Sequence, residues 1–148
     1  MKKYYLLLFI AVLSSCSNND SEPKNTEAQE SLRGRWNWVK TTKEPSTIVL
    51  TPASQNKTTV LEFSGNSVKE YENGTLLYDR KFSVVKKPSI YGGEKNMFVF
   101  EGVYTFANKS SQIAPTVISS FEIIGDKLYI RQEIQNGIIS EYERPKID

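Results

Sequence analysis

Between Gly34 and Arg144 the chain repeats one pattern eight times: a short run of alternating apolar and polar residues, closed by a turn signal. Alternation at period two is the spacing of a β-strand with one buried face. The runs cover 34–42, 58–64, 67–72, 75–85, 96–106, 116–124, 127–135 and 138–144. Gly65-Asn66, Asn73-Gly74, Gly125-Asp126 and Asn136-Gly137 separate four pairs of neighbours. Asn-Gly suits a type I′ turn, which needs positive φ at both central residues, so two such hairpins are predicted here. The spacing of Val68 and Tyr71 predicts a bulge in the third strand. No stretch carries a helical period. Consecutive hairpins predict an all-β fold: a single eight-stranded antiparallel up-and-down β-barrel whose last strand closes on its first. A two-sheet sandwich is the competing architecture, and the tight sequential turns count against its crossing connections.

The first run holds Trp36 and Trp38, two residues apart and so on one face of a strand. Two indoles on one side of one strand require a deep apolar interior. The connection 43–57 is long and contains Pro45, Pro52 and the apolar run Ile48-Val49-Leu50. It reads either as a lid over a barrel mouth or as a loop that tucks three apolar residues beneath itself. Pro88 and Gly92-Gly93 mark a second open connection.

Residues 1–15 read as a signal peptide. Lys2 and Lys3 supply its positive end, and 4–13 is an apolar core too short to cross a bilayer. Leu13-Ser14-Ser15-Cys16 resembles a bacterial lipobox, which implies lipidation of Cys16 as the mature N-terminus and a membrane anchor there. Residues 16–31 are polar and acidic, and predict a disordered tether. The barrel domain is then 32–148. Ser17 is not the aspartate that often retains lipoproteins in an inner membrane, and by that resemblance a cell-envelope, outer-membrane location follows. Asn18-Asn19-Asp20 is similar to surface-export signals but lacks their acidic run, so periplasmic and surface leaflets both stand.

Charge and composition limit the chemistry. Without Lys2 and Lys3 the nineteen basic residues fall to seventeen, equal to the acidic count. A near-neutral chain argues against a nucleic-acid partner. There is no histidine and one cysteine, which leaves no His-dependent triad, no intrachain disulfide and little scope for a His/Cys metal site. No cofactor motif is visible: Gly92-Gly93 is not a phosphate loop, and Asp79 and Asp126 form no calcium loop. Glu70/Glu72 and Glu141/Glu143 are carboxylate pairs spaced by two, read as solvated outer-face charges in preference to a glycosidase-like pair. Catalysis is not expected.

Gly34-Arg35-Trp36-Asn37-Trp38, Thr51-Pro52, Leu61-Glu62-Phe63, Tyr71-Glu72-Asn73-Gly74 and Tyr142-Glu143-Arg144 together resemble the small lipocalin-like lipoproteins of Bacteroidetes, over 32–144. The resemblance implies a lipocalin-like barrel with Gly34, Trp36 and Arg144 as its fold signature, the arginine packed across the tryptophan at the closed base. The strand pattern agrees, since the last run would lie beside the first. With no cystine and four residues after Arg144, a smaller cavity is expected than in longer lipocalins. Trp38, Tyr78, Arg80, Phe98, Phe100 and Tyr142 are the candidate ligand-binding residues, because small-ligand pockets are mostly apolar with a few polar groups. The same residues also describe a filled core. A small apolar or amphipathic ligand is therefore one expectation. A protein-interaction module, such as an envelope inhibitor or accessory subunit acting through its loops, is the other.

Overall fold

The computed structural model describes residues 24–43, 45–101, 103–106, 111–113 and 118–146, with backbone alone at 103–106 and 111–113. In chain order its elements are α1 (Thr26–Ser31), β1 (Gly34–Lys43), β2 (Val49–Leu50), α2 (Pro52–Gln55), β3 (Thr59–Ser64), β4 (Ser67–Glu72), β5 (Thr75–Pro88), β6 (Glu94–Phe100), β7 (Val103–Phe106), β8 (Ser111–Ile113), β9 (Ser119–Ile124), β10 (Lys127–Gln132) and β11 (Ile138–Glu143). Eight of these strands close a barrel in the order β1-β3-β4-β5-β6-β9-β10-β11, with β11 returning to β1. Every pairing is antiparallel, so the topology is the up-and-down meander expected from the turns. β7 continues along β5, placing Phe106 opposite Tyr78, and β8 pairs with β7 outside the closed ring.

The turns explain the registers. Asn73 and Gly74 both have positive φ, as a type I′ turn demands. Gly65 and Gly125 have positive φ at the first of two connecting residues, the pattern of a type II′ turn. The Asn136-Gly137 hairpin differs from expectation. β10 ends at Gln132, the Gly137 N–H bonds Ile134 O at 3.0 Å, and only Asn136 is left-handed. Gly137 is required there for close approach: a Cβ would lie 2.6 Å from the Gln132 carbonyl oxygen. The bulge foreseen in the third strand appears as a register shift between Glu70 and Tyr71 against β5.

Inward positions fill with aromatic and aliphatic side chains. Trp36, Phe82, Leu32, Leu128 and Val84 are fully buried. Phe98 sits at the centre of the aromatic cluster, with ring centroids 4.6 Å from Phe121, 5.5 Å from Phe100, 5.8 Å from Phe82 and 6.0 Å from Phe63. One end is closed. The Arg144 guanidinium lies 4.1 Å from the Trp36 ring and donates to Arg33 O and Ser31 O, each at 3.0 Å. Trp36 Nε1 donates to Leu32 O at 2.7 Å.

Two segments depart from the sequence reading. Composition assigns 16–31 to a tether, yet 24–31 belongs to the fold. Lys24 bridges Val85, Asn25 N–H bonds Val84 O at 2.7 Å, and Asn25 Oδ1 accepts from the Ala28 N–H at 3.1 Å to cap α1. A six-residue helix cannot hold itself together. This one persists because Ala28 and Leu32 pack onto the barrel base. The 43–57 connection neither tucks its apolar run away nor lies loose. Val49 and Leu50 pair with Thr42 and Thr41, α2 follows behind a Thr51 capping box, and Ile48, Val49 and Leu50 stay 64, 47 and 38% exposed.

Candidate functional site

The barrel interior narrows to a cavity of about 120 Å³ above the Phe98 cluster. Alternation on β5 turns Tyr78, Arg80, Phe82 and Val84 to one face; the last two fill the core and the first two reach the cavity. Phe98 and Phe100 arrive from β6, Ser119 from β9, Ile130 from β10 and Tyr142 from β11. Five of the six candidate ligand-binding residues therefore meet around one space. Trp38 does not line it. Its indole N–H donates to Thr41 Oγ1 at 2.9 Å, and that hydroxyl lies 2.8 Å from Ser140 Oγ, which ties β1 to β11.

One wall residue corrects the sequence reading. Glu70 is not an outer-face charge: it shares the inward face of β4 with Val68, lines the cavity and accepts from the Tyr78 hydroxyl. Strand parity outweighs the general preference of carboxylates for water because a buried donor is waiting for it. Glu72 pairs instead with Lys57 at 2.6 Å. Glu141 also departs from expectation. It lies on the outside of β11 but is only 5% exposed, held by Lys127 at 2.6 Å and Lys40 at 3.2 Å. The Lys127 hydrogen bond leads in holding its carboxyl below the usual range, against the opposing effect of burial. Glu143 stays exposed.

The electrostatics of the cavity follow from burial. Tyr78 is pushed far above the ordinary phenol range, first by burial and then by the Glu70 charge, with Arg80 opposing. Tyr142 is raised in the same way, by burial and then Glu70. Both phenols therefore remain protonated donors at any physiological pH. The Arg80 guanidinium stacks 3.3 Å from the Phe100 centroid and 5.2 Å from that of Tyr78. The result is an aromatic wall with one polar corner made by Glu70, Tyr78, Arg80 and Tyr142. This arrangement can bind a polar head and an apolar body together. Among the described residues no group of three His, Cys, Asp or Glu side chains is placed to hold a metal ion, and no helix is long and apolar enough to cross a membrane.

Cys16 and the signal segment lie outside the described residues, as do Thr116 and Val117. Sequence reasoning missed Glu70, Ser119 and Ile130 as cavity residues, although the alternation in their strands already turns them inward. Fold and site define a class: a small closed antiparallel barrel with a narrow aromatic interior and one polar corner. Comparison with protein-family models, with characterised proteins and with solved structures gave no match.

Proposed function

We propose that the protein is a lipid-anchored, non-catalytic binding barrel of the cell envelope, and that it holds one small amphipathic molecule in its interior. The observation that carries this reading is the cluster of Glu70, Tyr78, Arg80 and Tyr142 against Phe98 and Phe100 around a cavity of about 120 Å³. Purely structural packing would favour aliphatic side chains there, since each buried polar group must find a partner. Size narrows the ligand. Drug-sized pockets run about 300–1,000 Å³, and a cavity of about 150 Å³ holds benzene. The ligand is then no larger than about one small ring, its polar end at the Tyr78–Arg80 corner and its body against Phe98 and Ile130. The lipobox-like Leu13-Ser14-Ser15-Cys16 supports the anchor, and Ser17 in place of an aspartate supports the outer-membrane location.

Native mass spectrometry and ¹⁵N NMR with benzyl alcohol, phenol and a long-chain fatty acid test it. The ring-sized probes should shift Phe98, Phe100 and Tyr142, and Ser119→Leu, which fills the space, should abolish the effect. Binding that survives Ser119→Leu, or no binding of any probe, would remove the interior from consideration. Cys16→Ser should move the protein from the membrane to the soluble fraction.

A second reading has its own observation. Ile48, Val49 and Leu50 are consecutive, apolar and exposed, the last two on the short strand β2, and exposed apolar stretches mark interaction surfaces. A protein partner docked there would be lost in a variant with the 43–57 connection shortened, whereas interior binding would survive.

A further inference from the structure

The outer face of the barrel carries an ordered row of side chains. Tyr129 of β10 stands opposite Glu122 of β9 on one side and Glu141 of β11 on the other, and Glu141 stands opposite Lys40 of β1. Lys95 of β6 completes the row, 3.4 Å from Glu122. Opposed residues on neighbouring strands share a face, so the row reads cation, carboxylate, phenol ring, carboxylate, cation. Above it lies a cleft of about 550 Å³, within the range of small-molecule sites. Ile124 and Ile139 add apolar floor beside Tyr129. The side wall is the β5–β6 connection, which is fastened in place. Glu133 accepts from the Ser89 hydroxyl and from the Ile90 N–H, each at 2.9 Å, and the Tyr91 hydroxyl donates to Ile134 O at 2.6 Å. A wall fixed before the ligand arrives costs little ordering on binding.

The charges of the cleft are matched. Lys40 lies 3.2 Å from Glu141, Lys95 pairs with Glu122, and the charge of Arg131 acts on Glu133. A charged ligand finds a field already cancelled and competes with a partner already in place. A purely apolar ligand would strip water from these groups and give nothing back. A neutral polyol does neither. An ammonium has three donors and a carboxylate about four acceptor sites, so hydroxyls can join an ion pair without dissolving it. The side chains of Lys40, Lys95 and Glu122 are within reach, at 46, 41 and 56% exposed. We propose that this cleft binds a neutral glycan, a short run of hexopyranose sugars. One sugar lays its C–H face on the Tyr129 ring, where aromatic area gives the apolar contact. Its hydroxyls, and those of its neighbours, bond the ion pairs on either side, and bonds to charged groups are the strong ones. The site lies across the barrel wall from the interior cavity and is filled or empty independently of it.

Titration of the ¹⁵N-labelled protein with cellohexaose, maltohexaose, laminarihexaose and mannohexaose tests the proposal, with hexagalacturonate and hexaglucosamine as acidic and basic comparators. At least one neutral sugar should shift the amides of Tyr91, Tyr129, Arg131 and Ile139 and bind about fivefold or more tightly than either charged one, the scale of one modest contact. Tyr129→Phe should leave that binding within about twofold, and Tyr129→Ser should weaken it about tenfold. Glu122→Gln alters an exposed side chain and leaves Lys95 unmatched. It should weaken the neutral sugar about fivefold and move the preference toward hexagalacturonate. Failure of all four neutral sugars overturns the proposal. So do equal or tighter binding of a charged comparator to the unaltered protein, shifts confined to Phe98, Phe100 and Ser119, and indifference to Glu122→Gln.

Discussion

At the scale of single residues, Arg144 does several jobs with one side chain. It covers the Trp36 ring and donates to two carbonyls that precede β1. Cation–π contacts are worth about 0.5–2 kcal/mol and charged hydrogen bonds somewhat more than neutral ones. Arg144→Ala should therefore cost about 2 kcal/mol in urea unfolding, and Arg144→Lys, a point charge without the planar fork, should recover less than half. Gly34 is the other half of this device. Its φ is +108°, and a Cβ would meet Arg144 Nη1 at 3.2 Å. Gly34→Ala should destabilise by about 1–3 kcal/mol through backbone strain. The interior phenols make a separate claim. Unfolded tyrosine titrates near 10, whereas Tyr78 and Tyr142 are held well above it by burial. A raised folded value contributes stability in full below the unfolded one and loses it as pH rises. Stability should fall as pH climbs beyond about 10, and Tyr142→Phe should flatten that decline in denaturant midpoints. The tryptophan–arginine pairing was legible through the resemblance to lipocalin-like barrels, with which the strand faces of Trp36 and Arg144 agreed. Glu70 was not: its inward parity with Val68 was available, but a charge on a strand normally signals solvent.

Elements were legible wherever a short turn joined two alternating runs. Their limits followed from contacts that no local pattern announces. α1 has too few residues to declare a period, and it exists because Asn25 caps it and the base receives Leu32. β10 ends at Gln132, but the Glu133 N–H still bonds Ile118 O at 2.9 Å, and from there its carboxylate fastens the β5–β6 connection. That fastening holds the connection against residues 133–134, a long-range contact that alternation alone did not suggest. Burial works to raise the Glu133 carboxyl, but hydrogen bonds from Ser120, the Ile90 N–H and Ser89 outweigh it and hold the group below its usual value. A lowered folded value means the clasp contributes fully above the unfolded value of about 4.3 and is lost as pH falls through the folded one. The protection factor of the Ile90 amide, its exchange rate relative to the intrinsic rate at the same pH, should stay high near neutrality and fall at acidic pH before the barrel itself opens. Glu133→Gln should make that protection lower throughout and nearly independent of pH.

For the whole molecule, closure decides which end the proposed anchor would turn toward a membrane. β1 rises from Gly34 at the Trp36–Arg144 base, so the turns at Gly65-Asn66 and Gly125-Asp126 lie at that base, while Asn73-Gly74 and Asn136 lie at the far end. The described chain also enters at the base, where Lys24 and Asn25 join β5 at Val85 and Val84. If Cys16 carries the proposed anchor, eight residues connect it to Lys24 and reach at most about 28 Å when extended. Six-residue strands give the barrel a height of about 20 Å. Turning the far end to the bilayer would spend most of the tether running past the barrel, and a stretched chain is entropically disfavoured. The base should therefore face the lipid, with Ile48-Val49-Leu50 and the Tyr78 end of the interior turned away from it. On nanodiscs doped with paramagnetic lipid, the amides of Gly65, Asn66, Gly125 and Asp126 should broaden more than those of Asn73, Gly74 and Asn136. Cys16→Ser should erase the difference. The reverse gradient in the lipidated protein would mean that exposed β2, not the tether, sets the orientation, and would make that apolar run a membrane contact instead of a surface free for a partner.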